Sequence, residues 1–527
     1  MKIVFFACLI FLSIQGLANN HVKPQADSFK LGWSSVDITP DKPVLIAGQF
    51  HARVSEGVMD PITATVLAME SVRNGSSQSS VLVSVDWVSV SDGMRDPSNL
   101  RGRLRELLKD LSPAIKGENI MINATHSHAA PLVTETDPEK MYGITLKMMS
   151  PEKEMMSPKD YSEFAAQKIA GAVREAWKNR KKGGISYGLS KAVIGYNRLQ
   201  VLQNGKSQMY GNTNSNDFKN IEGYENHNLN LIYTWDEKSQ LTGVVVNAAV
   251  PSQVSEHLYM LSGDFWTETK ASFKERFGKN VYVIGQVSAA GDQSPHHMWG
   301  SKAEERMQKL MGFTDDGVGR GTVSNRRMIA FRLTEATADI LPVMKQNIEW
   351  NPVFRNKTEI IKLSRRLLGE QDLEDARKEI AAWKPEYEKL LAEAKANPEM
   401  MKKPRWYTNL TINHSKYRRG ESVLERFELE KVQPTLPVEV QVIRLGDMVF
   451  ASNPFELYLD YGIQMMARSK AVQTFVVQLA GSGTYLPTQR SINGGAYGAV
   501  PASTIMGPEG GQQLVDNTLR MIEELYQ

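Results

Sequence analysis

The segment Thr125-His126-Ser127-His128 carries the densest chemistry in the chain, and it follows an apolar run at 119–124 that reads as a strand. In extended chain, residues i and i+2 face the same side, so His126 and His128 project together from a strand end. Two imidazoles placed this way suit a metal ion, or one metal ligand beside one acid/base histidine. Four more stretches hold reactive types: Asn197-Arg198, Gly291-Asp292-Gln293-Ser294-Pro295 with His296-His297 behind it, Asn453-Pro454-Phe455-Glu456, and Tyr485-Leu486-Pro487-Thr488. Ser294 does not sit in the Gly-x-Ser-x-Gly elbow of a serine hydrolase, so orienting substrate suits it better than attacking it.

Taken in order, residues 32–40 (GWSSVDITP), Ser84-Val85-Asp86-Trp87, Thr125-His126-Ser127-His128 and the four stretches above resemble the neutral, non-lysosomal ceramidase superfamily over nearly all of the chain after its leader. The resemblance implies an α/β, α+β-layered catalytic domain of mixed sheets flanked by helices. It leaves no room for the family's immunoglobulin-like C-terminal domain. It implies His126, Glu456 and Tyr485 as zinc ligands, with Tyr485 placed across a stretch one residue shorter than the family's. It implies His128 as acid/base or oxyanion group, Arg198 facing the substrate, and Asn197, Asp292 and Ser294 lining the cleft, with His296 beside them. One position departs from the family: where it carries a second zinc-binding histidine, this chain has Pro251, and the nearest histidine is His257.

Two mechanisms follow. With zinc bound, a metal-activated hydroxide attacks an amide or ester carbonyl, Arg198 and His128 hold the oxyanion, and His128 or Tyr485 protonates the leaving group. Without zinc, the same residues suit β-elimination in a uronate-containing glycan. Asn197 and Arg198 then neutralise the carboxylate, His126 or His128 takes the proton and Tyr485 returns one. Trp87, Trp235, Trp266 and Trp299 could stack on sugar rings. A third possibility is a binding protein that kept the cleft and lost turnover. The expected partner is a small-molecule, lipid or glycan substrate.

The elements that must position these groups alternate. Strand patterns fall at 80–90, 119–124, 228–235, 243–249, 281–285, 438–444 and 474–479. Helical patterns fall at about 100–111, 162–177, 267–277, 326–345 and 512–525. This alternation argues for one layered α/β domain over 28–527. Asp264 reads as a helix N-cap. Residues 141–158, rich in Met, read as a packed loop or a lid over apolar substrate. Residues 370–403, with Glu and Lys at i,i+4 spacing, read as a solvated helical hairpin broken at Pro385, without chemistry.

Composition bounds the rest. The chain has 527 residues, 41% hydrophobic and 23% charged, which excludes wholesale disorder. Lys plus Arg is 62 against 59 Asp plus Glu, so nothing marks a nucleic-acid surface. A basic start, an apolar run from Ile3 to Leu12 and small residues before Asn19 predict a signal peptide over 1–18, and thus a periplasmic or secreted protein with no transmembrane anchor. The single cysteine, Cys8, lies in that leader, which excludes disulfides and cysteine chemistry after cleavage.

Overall fold

The computed structural model describes residues 27–94, 97–314 and 322–527. The expected leader and Cys8 lie outside them. The larger sheet has eight strands: β1 (Ser28–Asp37), β2 (Thr63–Arg73), β3 (Ser76–Val85), β4 (Ile120–Ala124), β5 (Lys181–Lys191), β6 (Asn228–Asp236), β7 (Leu241–Ala248) and β8 (Tyr282–Val287). Their spatial order is β8-β7-β6-β5-β1-β2-β3-β4. A second sheet holds β9 (Phe354–Ser364), β10 (Thr435–Leu445), β11 (Met448–Ser452) and β12 (Gln473–Val477) in that order. The helices used below are α1 (Leu100–Leu107), α2 (Pro158–Lys178), α3 (Phe265–Phe277), α4 (Thr322–Gln346), α5 (Glu370–Ala396), α6 (Thr408–Val432), α7 (Leu459–Arg468) and α8 (Pro508–Tyr526).

Strand alternation decides the layering. Phe29, Leu31 and Trp33 of β1 share one face with Leu67, Met69, Ile232 and Ile284. That face packs on Phe354, Ile443, Phe450 and Phe475 of the second sheet, with Phe29 edge-on to Phe354 at 6.2 Å. The opposite parity takes the helices. Val66, Val83 and Ile122 meet Tyr161, Ile169 and Val173 of α2. Val244, Val246 and Leu231 meet Phe265, Trp266 and Phe273 of α3 with Ile329 and Leu333 of α4. On the far side, Val438, Val440, Val442 and Val449 meet Leu514, Val515 and Met521 of α8. The result is helix, sheet, sheet, helix, as the alternating strand and helix patterns predict.

All the periodic strand segments of the sequence fall on strands. The 80–90 segment stops early, because Asp86 leaves the ladder to accept from Lys270 Nζ at 2.9 Å and Thr63 Oγ1 at 2.7 Å. Asp264 caps α3, accepting from the Phe265 N–H at 2.8 Å.

The charged segment behaves differently from the expectation. Residues 370–396 form one helix straight through Pro385, because Ala381, whose carbonyl loses its donor there, is exposed to water. The second arm of the hairpin is α6, beyond the expected boundary. The pair is not only solvated: Tyr387, Leu390, Tyr407 and Leu410 pack on Leu45, Ala52, Met148, Met149 and Met155. The Met-rich segment is thus a packed wall, tied to the hairpin by Tyr387 Oη donating to Gly143 O at 3.0 Å.

Within these two sheets three strand pairs are parallel: β3 with β4, β7 with β8, and β11 with β12. Their six C-terminal ends meet. The Ala124 N–H donates to Leu479 O, Gln478 N–H to Val287 O, Ser288 N–H to Ala248 O and Ser252 N–H to Thr125 O. This is where an open α/β sheet gathers loops into a crevice.

Two glycines test the packing. A Cβ on Gly285 of β8 would lie 2.5 Å from the Trp266 ring in the core, whereas one on Gly171 of α2 meets nothing within 4 Å. Gly285→Ala is expected to destabilise by about 1–3 kcal/mol and Gly171→Ala to stabilise by about 0.5–1 kcal/mol, read from urea midpoints at constant m.

Candidate active site

The cleft has a volume of about 430 Å³. Its floor carries His128, Arg198, Gln253, Glu256 and Tyr485, and its walls include Phe50, Leu132, Val133, Met141, Met209, Tyr210 and Tyr497.

His126 and His128 leave β4 and converge, with ring centroids 4.7 Å apart and Nε2 atoms 3.2 Å apart. Simple strand alternation does not place them. His126 has φ 68°, a left-handed conformation rare outside glycine. Its Nδ1 donates to Val88 O at 2.7 Å, which leaves Nε2 facing Glu456 Oε2 at 3.5 Å. His128 is seated by Gly48, whose φ of 96° and missing Cβ leave room for the imidazole; a Cβ there would lie 2.5 Å from the ring.

Arg198 is the centre of the floor, with only 2% of its surface exposed. Its Nη2 donates to Gly291 O at 2.9 Å and to Tyr485 Oη at 3.1 Å, and lies 3.8 Å from Glu456 Oε2. Its Nη1 donates to Gln253 Oε1 at 3.2 Å. That bond fixes the Gln253 amide, so its Nε2 donates to His128 Nε2 at 2.9 Å.

The protonation states follow from these surroundings. Burial, helped by His126, Arg53 and Arg198, holds the His128 imidazole well below its ordinary pKa, so it is neutral. Burial pushes the Tyr485 phenol well up, and the Glu456 charge adds to this, so it keeps its proton. Burial also works against the Glu456 carboxylate, but His126 and Arg198 outweigh it and hold the group below the usual range. The floor therefore presents a neutral base, a fixed cation and a protonated phenol.

Of the residues expected from sequence, the structure brings together His126, His128, Arg198, Glu456 and Tyr485. It does not bring Asn197, Asp292, Ser294 or His296 to the cleft lining. Asn197 Nδ2 donates to Asp292 Oδ2 at 3.0 Å, and Asp292 Oδ1 accepts the Leu459 N–H at the start of α7, so this pair braces the floor from behind. Ser294 Oγ lies 3.2 Å from Tyr210 Oη and accepts the His296 N–H, which makes it a support for Tyr210. His296 stands behind Glu256, with Nε2 3.2 Å from its Oε1. His257 reaches Thr322 Oγ1 at 3.5 Å and stays off the cleft. Its loop is anchored by the Ser255 N–H on Asp264 Oδ2, which leaves Gln253 and Glu256 on the cleft lining.

Sequence reasoning missed Gln253, Glu256, Tyr210, Tyr497 and Phe50. The signal for Gln253 was present: it lies two residues past Pro251, where the histidine was sought. The sugar-stacking tryptophans are not displayed either. Trp87, Trp235 and Trp266 are core residues, and only Trp299 is exposed, at 65%.

The residues present do not fit a zinc ion. A catalytic zinc takes three protein ligands, commonly His, Cys or carboxylate. Of the implied ligands this floor offers His126 and Glu456, while the neighbouring His128 Nε2 already accepts from the Gln253 amide and Glu256 lies on the other side of His128. The third candidate, Tyr485, is held as a neutral phenol and already accepts from Arg198. Among the described residues no group of three His, Cys, Asp or Glu side chains gathers as a metal site.

Two predictions follow from this floor. Protein dialysed against zinc is expected to carry well under one zinc per chain, unchanged in His126→Ala. Near-stoichiometric zinc that His126→Ala removes would restore the metal route. Asp292 supplies a pH test, because burial raises its pKa from 3.8 to about 6. The folded form then binds this proton more tightly than the unfolded chain, so its contribution to stability falls as pH rises from 3.8 through 6. Thermal melts of wild type against Asp292→Asn are expected to show wild type losing ground over that window and no further above it.

No protein-family model matches the chain, and no curated protein matches it. Solved structures do. Neutral ceramidase from Pseudomonas aeruginosa matches with TM-score 0.63 and 13% identity, over 95% of this chain and 75% of that one. A ceramidase complexed with C2 matches with TM-score 0.62 and 13% identity over the same shares. At that identity the likeness establishes the fold: this chain has the mixed α/β architecture of the ceramidase catalytic domain.

Proposed function

We propose that this chain is a hydrolase of acyl ester or amide bonds that works by acid–base chemistry on the Arg198 floor. The observation that carries the reading is the coupling of neutral His128 to charged Arg198 through Gln253, with the Tyr485 phenol on the same guanidinium. Apolar walls at Leu132, Val133, Met141, Met209 and Phe50 suit an acyl chain better than a sugar ring. The shared fold with solved ceramidases supports the same class of bond. The leader expected over residues 1–18 would direct the enzyme to the periplasm or beyond.

The chemistry runs on this chain's own residues. His128 Nε2 gives up the Gln253 N–H it accepts at rest and takes a proton from water as the oxygen adds to the acyl carbon. Glu256 Oε2, 3.8 Å from His128 Nδ1, offsets the imidazolium charge that forms. The carbonyl oxygen becomes an oxyanion, stabilised by Arg198 and by the Tyr485 O–H. Collapse of the tetrahedral species breaks the C–O or C–N bond, and the imidazolium returns its proton to the leaving alcohol or amine.

One observation favours a second reading. Arg198, His128 and Tyr485 also make a carboxylate neutraliser, a base and an acid, the set that β-elimination of a uronate requires.

Both readings are separable by product. Purified protein would be offered acyl esters, N-acyl amides including ceramide, and uronate glycans, with titration of released carboxylic acid and ultraviolet absorbance of unsaturated uronate as readouts. The expected outcome is acid release. It is expected to fall about 10²–10⁴-fold in His128→Ala and about 10²–10³-fold in Tyr485→Phe, with no response to chelators. Because the His128 pKa lies well below the ordinary value of 6.5, kcat/KM is expected to hold flat down through that value and fall only at lower pH. Unsaturated product without acid release would replace hydrolysis by elimination.

A further inference from the structure

Two buried guanidinium groups lie in and behind the cleft floor, and each has an Nε–H without a partner. Arg198 spends its Nη donors on Gly291 O, Tyr485 and Gln253, while its Nε has no partner. Arg53, fully buried behind His128, donates to four backbone carbonyls: Glu256, Leu258, Ala47 and His128. Its Nε is also without a partner, and among the described residues no carboxylate lies within ion-pair distance of it. Its positive potential reaches His128, whose pKa it lowers, and is partly offset by Glu256.

Gln253 directs that potential. Its Oε1 is committed to Arg198 and one N–H to His128, which leaves the second amide N–H for a ligand. A glutamate there would neutralise Arg198. A histidine there would offer a ligand to a metal. Glutamine does neither and adds a donor.

We infer that the cleft takes a substrate bearing a carboxylate, held by Arg198 and by the free amide N–H of Gln253, and that Gln253 is the residue that selects for it. A planar carboxylate matches the guanidinium fork. Glu256 and Glu456 on the same floor disfavour a second negative charge, so a monoanion fits better than a phosphate dianion. The inference deepens the reading above by naming the substrate class. It rests on that reading only for the location of the site, and holds for hydrolysis or elimination.

The test uses an isosteric pair, benzoate and benzamide, titrated calorimetrically into the full chain near neutral pH at low salt. Benzoate is expected to bind saturably and at least about tenfold tighter than benzamide, the scale of one charge-assisted contact. Gln253→Glu is expected to cost benzoate at least about tenfold and to leave benzamide unchanged, by placing a carboxylate on Arg198. Equal affinities for the two ligands, no saturable benzoate binding, or an unaffected Gln253→Glu would each overturn the proposal. A thermal melt checks each variant's fold; if Gln253→Glu fails it, Gln253→Met, which removes both donors at similar size, takes its place. Benzoate binding breaks no bond, so failure of turnover on every ester, amide and uronate would defeat the enzymatic reading and leave this one standing.

Discussion

A guanidinium sealed inside a protein must be met by acceptors on several sides at once, and Arg198 imposes that demand on the whole floor. Its acceptors come from far apart in the chain: Gly291, Gln253, Tyr485 and, at longer range, Glu456. Gly291, Gln253 and Glu456 follow the C-terminal ends of β8, β7 and β11, and Tyr485, beyond β12, pairs in parallel with Glu456. The topology thus answers an electrostatic requirement. Parallel pairing makes neighbouring strands end on the same side, and packing the two sheets face to face brings the ends of β11 and β12 against those of β7 and β8.

The same ends carry unusual backbone. His126, Tyr210 and Leu479 all have positive φ, and Asp264, anchoring the loop of Gln253, does too. Such residues cost free energy and persist where surrounding contacts over-determine them. Here the contacts are visible: Val88 O on the His126 ring, the Tyr210 N–H on Arg198 O, the Ala124 N–H on Leu479 O, and the Asp264 carboxylate on two backbone N–H groups. The rigidity of the four-layer core sustains a strained rim.

This division explains what the amino-acid sequence disclosed. Buried strands with period-two alternation were legible, because burial on one face writes itself into residue order. The pair His126 and His128 was legible as chemistry, though the rings converge through a left-handed turn that alternation does not predict. Polar residues beside a site proved ambiguous. Asn197, Asp292 and Ser294 carry reactive types, yet Asn197 and Asp292 satisfy each other and an α7 N–H behind the floor and Ser294 holds Tyr210, while the unremarkable Gln253 and Glu256 reach the cleft. Residue type alone does not separate a polar group that meets substrate from one that holds such a group in place. The wall was harder still. Phe50 reaches the cleft because Ser415 and Arg419 of α6 hold its loop, a contact across more than 360 positions.

A floor organised by a buried guanidinium differs in kind from one organised by a divalent ion. A divalent ion pulls substrate oxygens and water toward one point and can depart with pH or chelation. A guanidinium is permanently charged, planar and covalently fixed, so it rewards a ligand of matching shape and holds its charge at any pH the fold survives. Once the floor is organised around such a group, each neighbour adapts to it. Tyr485 becomes a hydrogen-bond partner that keeps its proton, Glu456 a counter-charge at 3.8 Å, and Gln253 the joint that lets the cation sense the base.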